Sequence, residues 1–128
     1  MTTVDGRPYI SFEIRRRPWT VNAQRNMHHM VAARLVKVWR ELAAEACADK
    51  PAFDGNRPVT VAVYTALRTK RSQDCGAAYP AVKAAIDGMV DAGIIPDDTP
   101  QYLAGIIMFS PTFGAEDDSM IFVVSEER

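Results

Sequence analysis

Residues Pro80 to Phe109 read PAVKAAIDGMVDAGIIPDDTPQYLAGIIMF, and this stretch decides the fold. Pro80 suits the first residue of a helix, where its missing N–H removes nothing. Val82, Ala85, Ile86, Met89 and Val90 then recur at helical spacing as a buried stripe. Gly93 is a helix stop, because glycine enters the left-handed conformation freely. Ile94, Ile95, Pro96, Asp97 and Asp98 form a short connector, and Tyr102 to Phe109 reads as a strand.

Upstream, Pro58 to Leu67 (PVTVAVYTAL) is rich in β-branched residues and also reads as a strand. It delivers the chain to Arg68, Lys70 and Arg71, and Ser72 to Tyr79 follows as a loop. Further back, Tyr9 to Arg15 alternates with Ile10, Phe12 and Ile14 on one side, the pattern of a half-buried strand ended by Pro18. A long helix is expected next, capped by Thr20 or Asn22 and closing near Ala48. Its apolar stripe is Met27, Val31, Leu35, Val38, Leu42 and Ala46. Downstream, Met120 to Val124 is a last strand, set off by Gly114 and the acidic turn Glu116-Asp117-Asp118. The order is β-α-β-α-β-β. Consecutive closing strands predict a mixed sheet with the helices on one side, an α+β single domain over residues 1–128.

The chain has 128 residues, enough for one hydrophobic core without a disulfide or structural metal. Cys47 and Cys75 stand alone, with no zinc-type spacing. The start MTTVDGRPYI has neither the basic nor the apolar region of a secretion signal, and no apolar run is of membrane-spanning length. A cytoplasmic protein with two free thiols and no membrane partner is therefore expected.

The net charge of −1 conceals an asymmetry. Residues 1–71 hold 13 Lys/Arg against 6 Asp/Glu, a net of +7, and residues 72–128 hold 2 against 10, a net of −8. A basic half suits a polyanion and an acidic half suits a cation. The alternative is that the halves neutralise each other on folding. Arg15, Arg16, Arg17, Arg68, Lys70 and Arg71 are candidate phosphate contacts, giving affinity and salt dependence rather than base specificity. An ordinary solvated charge run is the competing explanation for each group.

Lys83 and Asp87 are four apart on the predicted helix and share one face, which Asp91 continues. Asp97 and Asp98 follow in the connector, and Asp74 precedes the helix. Neighbouring carboxylates repel, and a hard divalent cation relieves that repulsion. Such an ion could activate a water against a phosphodiester, with a lysine steadying the developing charge. The plainer alternative is a solvated helix face in which Lys83 simply pairs with Asp87. His28 and His29 point about 100° apart on a helix and are poor joint ligands. One is expected at the core edge and one in solvent. Trp39 is expected in the core, and Trp19 as a staple or a partner contact.

The segment 74–98 resembles the core motif of the RusA family of Holliday-junction resolvases. That family shows a D-x-D-N-type cluster, a lysine, a helix reading roughly K-x-x-x-D-x-L-x-x-A-G, and a hydrophobic connector ending in D-D. Lys83, Asp87, Met89, Ala92-Gly93, Ile94-Ile95 and Asp97-Asp98 fall in register with it. Pro18, Trp19, Thr20 and Asn22, before the long helix, resemble the family's P-x-x-N entry. The resemblance implies a homodimeric endonuclease, dependent on Mg²⁺ or Mn²⁺, that resolves four-way junctions. It further implies a bacterial or phage-infected host cell. It assigns Asp74, Lys83 and Asp98 to catalysis, and Asp74, Asp87, Asp97 and Asp98 to the metal. The chain departs from the family upstream, where Asp74 is the only acid and Cys75, Gly76, Ala77, Ala78, Tyr79 and Pro80 follow it. That departure keeps a second expectation open, a junction-binding protein with an impaired site. A third is a small assembly protein that binds no nucleic acid.

Overall fold

The structure is a computed structural model, and it describes residues 2–70 and 73–127. The strands are β1 (Thr2–Val4), β2 (Arg7–Ile14), β3 (Val59–Leu67), β4 (Leu103–Met108), β5 (Thr112–Phe113) and β6 (Ser119–Glu126). The helices are α1 (Val21–Arg25), α2 (His29–Cys47) and α3 (Tyr79–Asp91). The sheet order is β1-β2-β6-β3-β4, with β5 paired to the end of β3. β6 runs antiparallel to both β2 and β3, whereas β4 runs parallel to β3. The fold is the expected α+β arrangement around a mixed sheet. The two closing strands are not neighbours, however, because β3 lies between β4 and β6.

One face of the sheet makes the core. Ile10, Phe12 and Ile14 of β2, Val59, Val61 and Val63 of β3, and Met120, Phe122 and Val124 of β6 are all buried. Phe12 and Phe122 are paired in register and stack at 4.8 Å. Helices α2 and α3 cover this face. From α3 the core takes Val82, Ala85, Ile86 and Met89 as expected, together with Ala81, Ala84 and Gly88. The helices meet closely at Gly88, where a Cβ would lie against the carbonyl oxygen of Arg40 and 2.8 Å from Ala43 Cβ. Gly93 ends the helix region at φ +80°, and Ile94 N–H donates back to the Met89 carbonyl at 3.2 Å.

Two expectations are corrected. The first long helix is broken at Asn26–His28 into α1 and α2. Thr20 caps α1 by accepting from Ala23 N–H, and His28 Nδ1 caps α2 by accepting from Met30 N–H at 3.2 Å. The fully buried residues of α2 are Trp39, Ala43 and Cys47, and Met27, Leu35, Leu42 and Ala46 of the expected stripe pack half-buried against the core. Val31, assigned to the core, is exposed instead. His28 and His29 are both exposed, and their rings stack at 4.3 Å. Trp19 is buried edge-on against Trp39 at 5.8 Å, with its indole N–H on Gln24 Oε1 at 2.8 Å. Among the described residues, no helix is long and apolar enough to cross a membrane.

Candidate functional site

The half-buried face of α3 carries Lys83 and Asp87, four residues apart. The connector brings the third member. Ile94 and Ile95 are buried to within 2% of full coverage and anchor the chain after the Gly93 turn. Phe53 N–H fixes the same point by donating to the Ile94 carbonyl at 3.0 Å. The chain then runs back along α3 and sets Asp98 against Lys83. The Lys83 ammonium donates to Asp87 Oδ1 at 2.7 Å and also to Asp98 Oδ2. Asp97 Oδ1 accepts from the Asp98 backbone N–H at 2.8 Å, which shapes the turn.

Lys83 thus bridges two carboxylates from separate segments. Its side chain is 42% exposed, so each ion pair contributes no more than roughly 0–1 kcal/mol to stability. Desolvation pulls the Lys83 pKa down, but the hydrogen bonds to Asp87 and Asp98 together outweigh it, and the net shift is upward. The hydrogen bond from Lys83, followed by its charge, holds the Asp98 carboxyl below its ordinary value. Asp98 therefore stabilises the fold fully above the unfolded carboxylate value of about 3.9, and that contribution drains away as pH falls through its lowered folded value. Lys83 contributes fully below about 10.4 and loses its contribution as pH rises through its raised value. Urea titrations of wild type and Asp98→Asn should accordingly differ by a constant gap across neutral pH. The gap should shrink below about pH 4.

The other expected site residues lie elsewhere. Asp91 turns away from Asp87 and forms a two-pronged ion pair with Arg40 of α2, with Arg40 Nη2 to Oδ1 at 2.8 Å. Asp74 opens a turn in which its carbonyl accepts from Ala77 N–H, and the Ala77 carbonyl accepts from Val21 N–H at 2.8 Å. That bond ties the Asp74 turn to the start of α1. Between them is a cleft of about 410 Å³ lined by Asp74, Gln73, Arg17, Trp19, Thr20 and Asn22, among others. The amides of Asn22 and Gln73 escaped the sequence reading of the site; Asn22 was noticed only as part of the helix entry. Among the described residues, no three His, Cys, Asp or Glu side chains gather as a metal site.

No protein-family model matches the chain, and no curated protein does.

The basic residues collect at one end of the sheet. Register pairs Ile14 with Met120 and Ala66 with Ser119, so Arg15–Arg17 after β2 and Arg68 and Lys70 after β3 flank the same end. Asp118 sits between them, accepting from Arg68 N–H at 2.8 Å and pairing with Arg17 at 3.6 Å. Arg15 is held by Glu13 at 2.6 Å. Part of the charge asymmetry is thus cancelled locally. Arg16, Arg68 and Lys70 remain exposed. Arg71, also expected here, lies outside the described residues.

Proposed function

We propose that this chain is a metal-dependent endodeoxyribonuclease acting on four-way or other branched DNA, a RusA-type resolvase. The observation that carries the reading is the convergence of Lys83, Asp87 and Asp98, which sit fifteen or fewer positions apart in sequence and share one ammonium. These are three of the positions in register with the family motif. The exposed cations at the sheet end where β2 and β3 finish supply phosphate contacts. Paired nicks in a symmetric junction call for two sites related by a two-fold axis, hence a homodimer. Cys47 and Cys75 are both free thiols, which fits the cytoplasm of a bacterial or phage-infected cell. Cys47 is inert there, because burial pushes its thiol up to about 12.

The donor set fits one Mg²⁺ or Mn²⁺ ion. The ammonium of Lys83 marks a point that both carboxylates reach, and Mg²⁺ is commonly held by one or two carboxylates with water and phosphate oxygens completing the shell. Asp87 and Asp98 would hold it, with Asp97 fixing the turn that carries Asp98. When bound, the metal supplies Lewis acidity to an attacking water and to the leaving oxygen. Lys83, moved off the carboxylates, is placed to neutralise charge on the scissile phosphate. Arg68 and Lys70 orient the backbone. Asp74 lines the cleft beside Arg17, where it borders the path of the strand.

The test is cleavage of a synthetic four-way junction in Mg²⁺ and in Mn²⁺, beside matched linear duplex. Paired nicks that need the metal and vanish in Asp98→Asn are expected. A second reading is a junction-binding protein with an impaired site, favoured by the absence of Asp74 from the Lys83 cluster. Tight junction binding with no nicking in either metal would select it. No binding to any DNA form would overturn both.

A further inference from the structure

The helices cover one face of the sheet, and the other face is open. A sheet with one wet face ordinarily presents polar side chains there. Two rows of this one are largely apolar. The first sets Glu13, Ile121 and Tyr64 side by side, and Phe109 stacks on Tyr64 at 4.9 Å with 12° between the rings. The second is Ser11, Val123, Ala62 and Ile107. Tyr64 and Phe109 are 46 and 45% exposed, so two parallel rings stand in solvent on the open sheet.

The alternation of the strands carries cations onto the same face, at the end where β2 and β3 finish. Arg68 lies four residues beyond Tyr64, continuing its side of β3, and is exposed. Its backbone N–H donates to Asp118, but its guanidinium has no ion pair among the described residues. Lys70 follows, also exposed. Arg15 bonds Glu13 two residues back, which places both on the open side and cancels the one charge in the two rows. The acidic turn at 116–118 meets the same end, where Asp118 pairs with Arg17 at 3.6 Å and Asp117 acts on Arg15. Arg68 and Lys70 are the cations left free on this side.

We infer that the open face binds single-stranded DNA, with two or three unpaired bases stacked on Tyr64 and Phe109 and their phosphates held by Arg68 and Lys70. Aromatic rings beside cations are the two things an unpaired strand needs, since every base has a π-face and every phosphate a charge. Tyr64 and Arg68 are about 13 Å apart along β3. A base with its sugar and an extended arginine side chain cover that span between them. Size argues against a protein in the same place. The two apolar rows, across four strands about 4.8 Å apart, cover roughly 250 Å² in plan. Even doubled for side-chain relief, that falls short of the ~800 Å² each partner gives to a stable protein interface. It suits a few bases laid on a sheet. The bases of a duplex are already stacked on one another, so the rings select unpaired strand. The inference rests on the nuclease reading only for the origin of that strand, the unpaired region beside a branch, and for the choice of DNA over RNA.

The experiment measures fluorescence anisotropy of a labelled oligothymidylate with the full chain in EDTA at low salt. An abasic strand of equal length carries the same phosphates without bases, and it should bind about tenfold more weakly. Tyr64→Ala and, separately, Phe109→Ala should each weaken oligothymidylate by about tenfold and leave the abasic strand unchanged. Tyr64→Phe keeps the ring and should restore binding. Arg68→Gln should weaken both strands and lower the salt slope by about one contact. Arg34→Gln, exposed on α2, should leave the preference for bases intact. Equal binding of the two strands by wild type overturns the proposal without recourse to any variant. So do face variants that bind like wild type, or that change the sedimenting mass and leave strand binding alone, which would make the face a protein contact. Tighter binding of the matching RNA overturns the assignment to DNA. None of these readouts involves cleavage. Base-dependent binding without junction nicking would leave the face standing and remove the nuclease, and nicking without base dependence would do the reverse.

Discussion

On the proposed nuclease reading, replacing Lys83 with methionine should lower junction cleavage by about 10²–10³-fold, the usual cost of deleting one donor aimed at developing charge. Binding of the uncleaved junction at low salt stays close to wild type, because the exposed cations of the sheet end are untouched. The variant has a second, opposite effect. In the wild type the single ammonium offsets one of the two negative charges of Asp87 and Asp98. Without it the two carboxylates face each other uncompensated, and a divalent cation is the available relief. On the same reading, Mn²⁺ affinity, measured by calorimetry on the DNA-free protein, should therefore rise while turnover falls. Unchanged cleavage in Lys83→Met would reduce this lysine to an ordinary helix-surface pair. A parallel loss of metal binding and turnover would mean that the lysine only holds the carboxylates in place.

Gly88→Ala destabilises the fold by about 3 kcal/mol, the upper part of the usual range for overpacking. The added methyl would overlap the Arg40 carbonyl and lie 2.8 Å from Ala43 Cβ. Both are helix atoms rather than flexible side-chain ends, so α2 and α3 must move apart along their shared surface. Urea unfolding should show the loss, with a fall in Tm of about 10 °C. The Arg40–Asp91 pair spans the same helix contact, so Asp91→Asn is a useful comparison. It removes an exposed interaction without forcing the helices apart, and its effect should be much smaller.

The strands were legible because their period is two and their faces differ sharply. Ile10, Phe12 and Ile14 were placed inward from alternation alone, and all three are buried. Helix α3 was legible from end to end, since proline opens it, glycine follows it and its stripe is unbroken. The preceding helix is less legible: Leu35, Leu42 and Ala46 do pack on the core, but the break and the burial of Ala43 and Cys47 do not show in the pattern. Asn26, Met27 and His28 are individually compatible with helix, and the break depends on a histidine nitrogen capping the next segment, which composition does not advertise. Strands β1 and β5 are three and two residues long, too short to show a period. In the site, Lys83 and Asp87 follow from helical spacing. The arrival of Asp98 depends on two buried isoleucines turning the connector back, and the separation of Asp74 depends on a backbone bond from Val21 to Ala77. Neither can be read from residue identity.

The position of β6 bears on how the chain is made. Residues 119–126 are late in the sequence, yet they form the strand that joins β2 on one side to β3 on the other. Until they leave the ribosome, the early hairpin and the later β-α-β unit have no common sheet. Folding is then held back until β6 has been made and is dominated by contacts between distant parts of the chain, which slows it. During that wait, β2 and β3 both present unpaired edges, and the nascent chain depends on chaperones or on a quick finish to avoid pairing with its neighbours.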